Sequence, residues 1–245
     1  MAVVKFQYLA MRILKLTLLL FCTPLLLSAQ DQIVRLPDFP ANRYEGGPEA
    51  FYRLMGSNLR YPSSARQAGI IGTAILGFTL LPDGQLTNIE IANSLGKIID
   101  EEVEQVFAKT TDQWLVSYDD LPVRMYLPIA FTMDGVPLIR AGINEDLFIE
   151  EIVVKAYGPV NANIRSREKL IESLYRLIEK KKHRRALRFA DELIRRDPLN
   201  KEWYLARSSI HKEMGQEDAV CHDLTKIHTL LQYPVAESLL QQYCH

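Results

Sequence analysis

Cysteine and histidine side chains near the end of the chain are the residues best suited to chemistry. Cys221 and Cys244, with His222, His228 and His245, could supply thiolate and imidazole ligands to zinc. On a helix, however, adjacent residues point about 100° apart, and histidines six residues apart do not share a face. The spacing therefore disfavours a metal site. An even pair of cysteines in an exported chain favours a disulfide, and we predict a Cys221–Cys244 bond.

Acidic side chains occur in adjacent pairs rather than in catalytic arrangements. Glu101-Glu102 fits the N-terminal end of a helix and Asp119-Asp120 fits a loop. The sequence contains no phosphate-binding loop, nucleophile elbow or paired-histidine zinc helix. We therefore expect no enzyme activity, no cofactor and no small-molecule substrate.

The N-terminal segment has the composition of a targeting signal. Lys5, Arg12 and Lys15 precede an apolar run that contains Pro24 and ends in small residues at Ala29. Because a bilayer span needs about 20 apolar residues, this run is short for an anchor. We expect a signal peptide over residues 1–29 and a mature periplasmic protein beginning near Gln30; sequencing of the mature N-terminus tests this. An uncleaved inner-membrane anchor is the alternative.

Charge is divided unevenly along the chain. Residues 31–158 have a net charge of −8 and residues 159–245 of +4, which indicates two units of different character. Lys180–Arg185 is the strongest basic run. In an exported protein nucleic acid is a poor partner for it; an acidic lipid, an acidic protein or a solvated turn between helices fits better.

Helices and strands alternate between residues 46 and 134. A helix is predicted from Pro48 to Leu59, and a short helix opens at Pro62 and ends at Gly69. Two apolar strands then flank the turn Pro82-Asp83-Gly84. In the second strand Thr87, Ile89 and Ile91 alternate with polar residues, which predicts one wet face. An amphipathic helix, Trp114 and a last strand follow; the predicted class is α+β, with helices on one face of an antiparallel sheet.

Pro128 lies inside the last predicted strand. Because proline donates no ladder hydrogen bond, it is confined to strand edges and bulges. We therefore expect the strand Arg124–Phe131 to form an edge of the sheet, where another strand can pair.

These segments together resemble the C-terminal domain of TonB, the periplasmic protein that couples inner-membrane energy to outer-membrane transporters. The resemblance covers about residues 41–134 and rests on "YEGGPEAFYRLMGSNLRYP", the strand-turn-strand "GIIGTAILGFTLLPDGQL", Trp114 and "YLPIAF". In that family an extended transporter peptide docks beside the Tyr-Pro step and pairs with the last strand. The resemblance therefore implies peptide binding by a set of matching residues: Tyr61, Pro62, Arg124, Met125, Tyr126, Leu127, Ile129 and Phe131. The alternative is that Tyr61 and Pro62 only fix the entry to the hairpin.

Energy coupling by such a protein needs a membrane anchor and a long linker. Here about 15 residues separate the signal from the domain, reaching roughly 50 Å when extended. An energy transducer is therefore expected only if the N-terminus stays uncleaved.

A β-branched segment, Ile149–Tyr157, follows the TonB-like region. It resembles the acid-Val-Val-Val segment near the start of TonB-dependent transporters of Bacteroidetes-type bacteria. A linker strand is the plain alternative. We expect this strand to cover the edge formed by Arg124–Phe131. Ile152 and Val154 would lie on one face and Val153 on the other, and the N–H of Val153 would donate to the ladder.

From Ser166 the pattern is helical, and Ala186 and Ala219 repeat at a spacing close to the 34 residues of a tetratricopeptide repeat. The predicted organisation is a signal peptide (1–29), a lead-in (30–45), a TonB-like domain (46–134), a linker with an extra strand (135–162) and a repeat domain (163–245). The predicted function is non-enzymatic binding of a transporter peptide in transmembrane transport across the cell envelope. A scaffold that acts through its repeats, where a second protein would bind, is the alternative.

Overall fold

The computed structural model describes residues 43–116, 121–137, 149–157 and 164–244. The predicted signal peptide, Asp119-Asp120 and His245 lie outside them. The helices and strands of the described residues are α1 (Gly47–Asn58), α2 (Ser63–Gln67), β1 (Gly72–Leu80), β2 (Leu86–Asn93), α3 (Lys97–Ala108), β3 (Val123–Met133), β4 (Ile152–Ala156), α4 (Arg167–Glu179), α5 (His183–Arg196), α6 (Lys201–Glu213), α7 (Glu217–Thr229) and α8 (Val235–Tyr243).

Helix α1 begins and ends one residue before its predicted bounds. Gly46 has a φ of 81°, a left-handed conformation that favours glycine, and proline follows in the first helical turn, where its missing N–H costs nothing. Phe51 and Met55, one turn apart, are fully buried. Helix α3 buries Ile99 and Val103 in the same cluster, so the two helices cover one face of the sheet.

Strands β1 and β2 form the predicted antiparallel hairpin, with Asp83 Oδ1 accepting from the N–H of Gln85 at 2.9 Å in the turn. The predicted alternation in β2 is wrong at Ile89, whose side chain is 44% exposed. Asn88 has a φ of 48°, and the register with β1 shifts beside it. A bulge of this kind changes which face the following side chains point to.

The sheet has four strands in the order β2-β1-β3-β4. Strands β1, β2 and β3 pair antiparallel, whereas β4 pairs parallel to β3. The α+β class is confirmed, and β4 makes the sheet mixed. The prediction that Arg124–Phe131 forms an edge is wrong at Ile129–Phe131, because β4 pairs with that part of β3 on the side away from β1.

Helices α4 to α8 form a second hydrophobic cluster in which each helix packs against the next. A buried ion pair helps to fix this stack: Arg207 contacts Asp223, which is 1% exposed, at 2.5 Å, and Asp191 at 2.7 Å. The arrangement is consistent with repeat-like helices, and the assignment to tetratricopeptide repeats stays a prediction.

The second face of the sheet meets this helical region within one compact unit. Ile75 and Tyr126 pack against Leu230. Gly72, with a φ of 146°, lies so close to α5 that a Cβ atom there would be 2.3 Å from the carbonyl oxygen of Arg195. The helical region is therefore seated directly on the sheet.

Candidate peptide-binding edge

The outer side of β3 is already paired with an extended segment of the same chain. Ile129 lies opposite Ile152, and the parallel register continues to Met133 opposite Ala156. Beyond each end of this ladder one more backbone hydrogen bond joins the two segments. The N–H of Ile149 donates to Tyr126 O at 2.8 Å, and the N–H of Asp134 donates to Ala156 O at 3.0 Å.

These two bonds show which residues of β3 face β4. Backbone groups point alternately to the two sides of a strand, so the even-numbered residues from Tyr126 to Asp134 direct their N–H and C=O groups towards β4. Pro128 is one of them. Its missing N–H therefore falls on the β4 side, while its pairing opposite Ile75 on β1 is uninterrupted.

The same register identifies the donors on β4. In a parallel pair a residue bonds to the two neighbours of the residue opposite it. Because Ala130 faces β4 and lies opposite Val153, its partners are Ile152 and Val154. The expectation that Val153 supplies a ladder donor is therefore wrong: its N–H points away from β3.

The two faces of β4 differ as the sequence predicts. Ile152 is buried in the core beneath the sheet, and Val154 packs against that core. Val153 is 42% exposed. An ion pair of 3.0 Å between Lys155 and Asp134 joins the end of β4 to the end of β3.

The segment just before β4 also approaches helix α1. Burial, followed by the negative charge of Glu150, raises the pKa of Tyr52 to about 12. Tyr52 lies on the partly buried side of α1, against the core. The extra segment therefore contacts both the sheet and a helix.

Most side chains of the predicted binding strand are buried in the protein interior. Met125, Leu127, Ile129 and Phe131 are all at most 2% exposed. They belong to the core cluster beneath the sheet. A peptide added beside this strand would therefore contact mainly its backbone groups.

The two remaining residues of the predicted binding strand lie on its other face. Tyr126 packs against the helical region. Arg124 donates to Asn88 O at 2.6 Å and pairs with Glu90 at 2.5 Å, so its side chain reaches across β1 to β2. Neither side chain lies at the side of β3 where β4 pairs.

Tyr61 and Pro62 lie near the end of the paired strand. The ring of Tyr61 packs edge-on against Phe131, with centroids 5.4 Å apart, and its hydroxyl donates to Ile70 O. Burial raises the pKa of Tyr61 to about 12, against the opposing charge of Arg195. Pro62 is the N-cap residue of α2. The structure thus brings Tyr61 together with Phe131, while it keeps Arg124 apart from them.

Cys221 and Cys244 are joined in a disulfide, with Cα atoms 5.5 Å apart. The bond links α7 to the residue that follows α8. Among the described residues no three His, Cys, Asp or Glu side chains are grouped as a metal site would require.

We predict that reducing this disulfide lowers the free energy of unfolding by about 3 kcal/mol, because the bond closes a loop of roughly 22 residues in the unfolded chain. Urea denaturation with and without reductant measures the change. Two free thiols in native protein taken from the periplasm would contradict the bond itself.

Comparison with known proteins identifies one region of the chain. Residues 57–133 match the family model described as Gram-negative bacterial TonB protein C-terminal. No curated protein and no solved structure gives a significant match. In the part of the chain that the structure describes, no helix is long and apolar enough to span a bilayer. The match begins in α1 and ends with β3, and the family that this part of the chain resembles consists of non-enzymatic protein-interaction modules.

Proposed function

We propose that this protein is a periplasmic interaction module of the cell envelope that binds an extended peptide by strand addition to β3. The partner is the acid-Val-Val-Val type of segment of an outer-membrane transporter. The observation that carries the proposal is the parallel ladder from Ile129 to Met133. It supports an edge geometry that accepts a β-branched strand preceded by acidic residues, here Glu150 and Glu151.

Backbone pairing accounts for most of the recognition in this proposal. The side chains of β3 that face the core are buried, so affinity comes from ladder hydrogen bonds and specificity from the alternating side chains of the peptide. Ile152 and Val154 fill the apolar positions when β4 is paired. A transporter peptide needs two apolar side chains at the same spacing, and it has to displace β4.

The second candidate function is an envelope scaffold that binds its partner through helices α4 to α8. The packing of this helical region on the sheet favours the scaffold function, because Leu230 already covers Ile75 and Tyr126. In this function β4 is a permanent part of the sheet.

Titration of the full mature chain with a peptide of residues 150–157 separates the two functions. Under strand addition, millimolar peptide shifts the backbone amide resonances of Ala130 and Thr132, whose N–H groups point to that side of β3. A matched peptide with proline in place of the valine equivalent to Val154 should leave them unchanged. Shifts confined to α4 to α8 would support the scaffold, and absence of binding would reject strand addition.

A further inference from the structure

A cavity of about 490 Å³ lies where helix α5 meets the segment before α4 and the end of α2 at Ala68 and Gly69. Its charged lining is almost entirely basic. The residues are Arg165, Arg185, Arg188, Arg195, Arg196 and a single acid, Glu192. The cavity wall therefore has a formal balance of +4.

Glu192 is already engaged by two of these arginines. It accepts from Arg195 Nε at 3.0 Å and from Arg196 Nε at 2.5 Å. Arg185 and Arg188 have no acidic partner among the residues that the structure describes. Positive charge in the cavity is therefore only partly neutralised from within the protein.

Arg196 forms the buried end of the cavity. Arg196 is 9% exposed and donates to the carbonyl oxygen of Arg165 at 2.7 Å. Burial, with Arg195 and Arg165 adding to it, lowers the pKa of Arg196 against the pull of Glu192. A bound anion would offset both the cost of burying this charge and the repulsion from its neighbouring arginines.

The arginines converge because of helical spacing. Arg185, Arg188, Glu192 and Arg195 follow one another at three- and four-residue intervals, which places them on one face of α5. Arg165 approaches from a separate segment and lies over the ring of Phe189, 5.8 Å from its centroid. Guanidinium groups from two segments thus face a common space, and their planar forks match the oxygens of an anion.

We propose that this cavity is a binding site for a phosphate-bearing anion, which no part of the peptide-binding function requires. A phosphate group carries close to two negative charges near neutral pH and offers three acceptor oxygens, so it suits several arginines better than a single carboxylate does. The same chemistry is presented by a lipid headgroup and by a soluble phosphate.

Inorganic pyrophosphate is the probe, titrated calorimetrically into the full mature chain at low ionic strength. We expect binding, and we expect Arg188→Gln and Arg185→Gln each to weaken it about tenfold, since each removes a charge-assisted hydrogen bond. Arg184→Gln is the matched control. It removes the same charge from the same helix, but Arg184 does not line the cavity. The control should retain nearly full affinity.

A second arm identifies the source of the phosphate. Co-sedimentation with vesicles of phosphatidylglycerol and phosphatidylcholine that is lost in Arg188→Gln assigns the site to a lipid headgroup. Pyrophosphate binding without vesicle binding assigns it to a soluble anion. The proposal is overturned if pyrophosphate does not bind, if Arg184→Gln weakens binding as much as Arg188→Gln does, or if polyglutamate binds where pyrophosphate fails.

Discussion

Val154→Pro should tighten binding of the peptide of residues 150–157 to the protein by at least about tenfold. In the native chain β4 competes for the edge of β3 at the millimolar effective concentration of a short linker. Apparent affinity falls in proportion to the fraction of molecules in which the edge is open. Proline at position 154 removes an N–H that faces β3 and so raises that fraction. Calorimetry on the full mature chain measures the change.

Val153→Pro is the control for this experiment. The N–H at position 153 points away from β3, and an edge strand tolerates proline on its open side. Its peptide affinity should stay close to that of the native chain. If Val154→Pro binds no more tightly than Val153→Pro while both remain folded, β4 does not compete for the edge. Strand addition itself is judged separately, by the amide resonances of Ala130 and Thr132.

Gly72→Ala should lower the free energy of unfolding by roughly 3 kcal/mol, from backbone strain and overpacking together. The new Cβ would lie 2.3 Å from the carbonyl oxygen of Arg195 and 2.9 Å from Leu95 Cδ2, and the φ of 146° disfavours any side chain. The nearest atom belongs to backbone, so it cannot turn aside. Urea denaturation gives the value.

Gly56→Ala is the matched control for that substitution. Gly56 lies within α1 with no atom within 4 Å of an added Cβ. Alanine there should stabilise the protein by about 0.5–1 kcal/mol through its greater helix propensity. A small effect of Gly72→Ala, similar in size to that of Gly56→Ala, would show that the contact between the sheet and α5 yields easily.

Hydrophobic periodicity was sufficient to predict the hairpin, α1, α3 and β3, because each pattern is local. Pro128 predicts only part of the pairing of β3. Because Pro128 has no N–H, it cannot donate a hydrogen bond to a strand on that side of β3. Its carbonyl oxygen can still accept a hydrogen bond from such a strand. A proline therefore limits a ladder at one residue without ending the sheet.

Features formed by distant segments could not be predicted in the same way. The run Lys180–Arg185 is conspicuous in the sequence, yet the cavity uses Arg188 and Arg195 beyond it and Arg165, which lies 15 residues before the run begins. The direction of β4 could not be predicted from the sequence either, because side chains alternate in the same way in parallel and antiparallel strands.

The intramolecular pairing of β4 with β3 has a kinetic consequence. If a peptide binds only to chains in which β4 has detached, its association is preceded by a step that does not involve the peptide. At rising peptide concentration the observed rate then levels off at the rate of detachment, as in conformational selection. Stopped-flow mixing should show this plateau in the native chain and a steadily rising rate in Val154→Pro. The strand would then set how quickly, as well as how tightly, the module engages its partner.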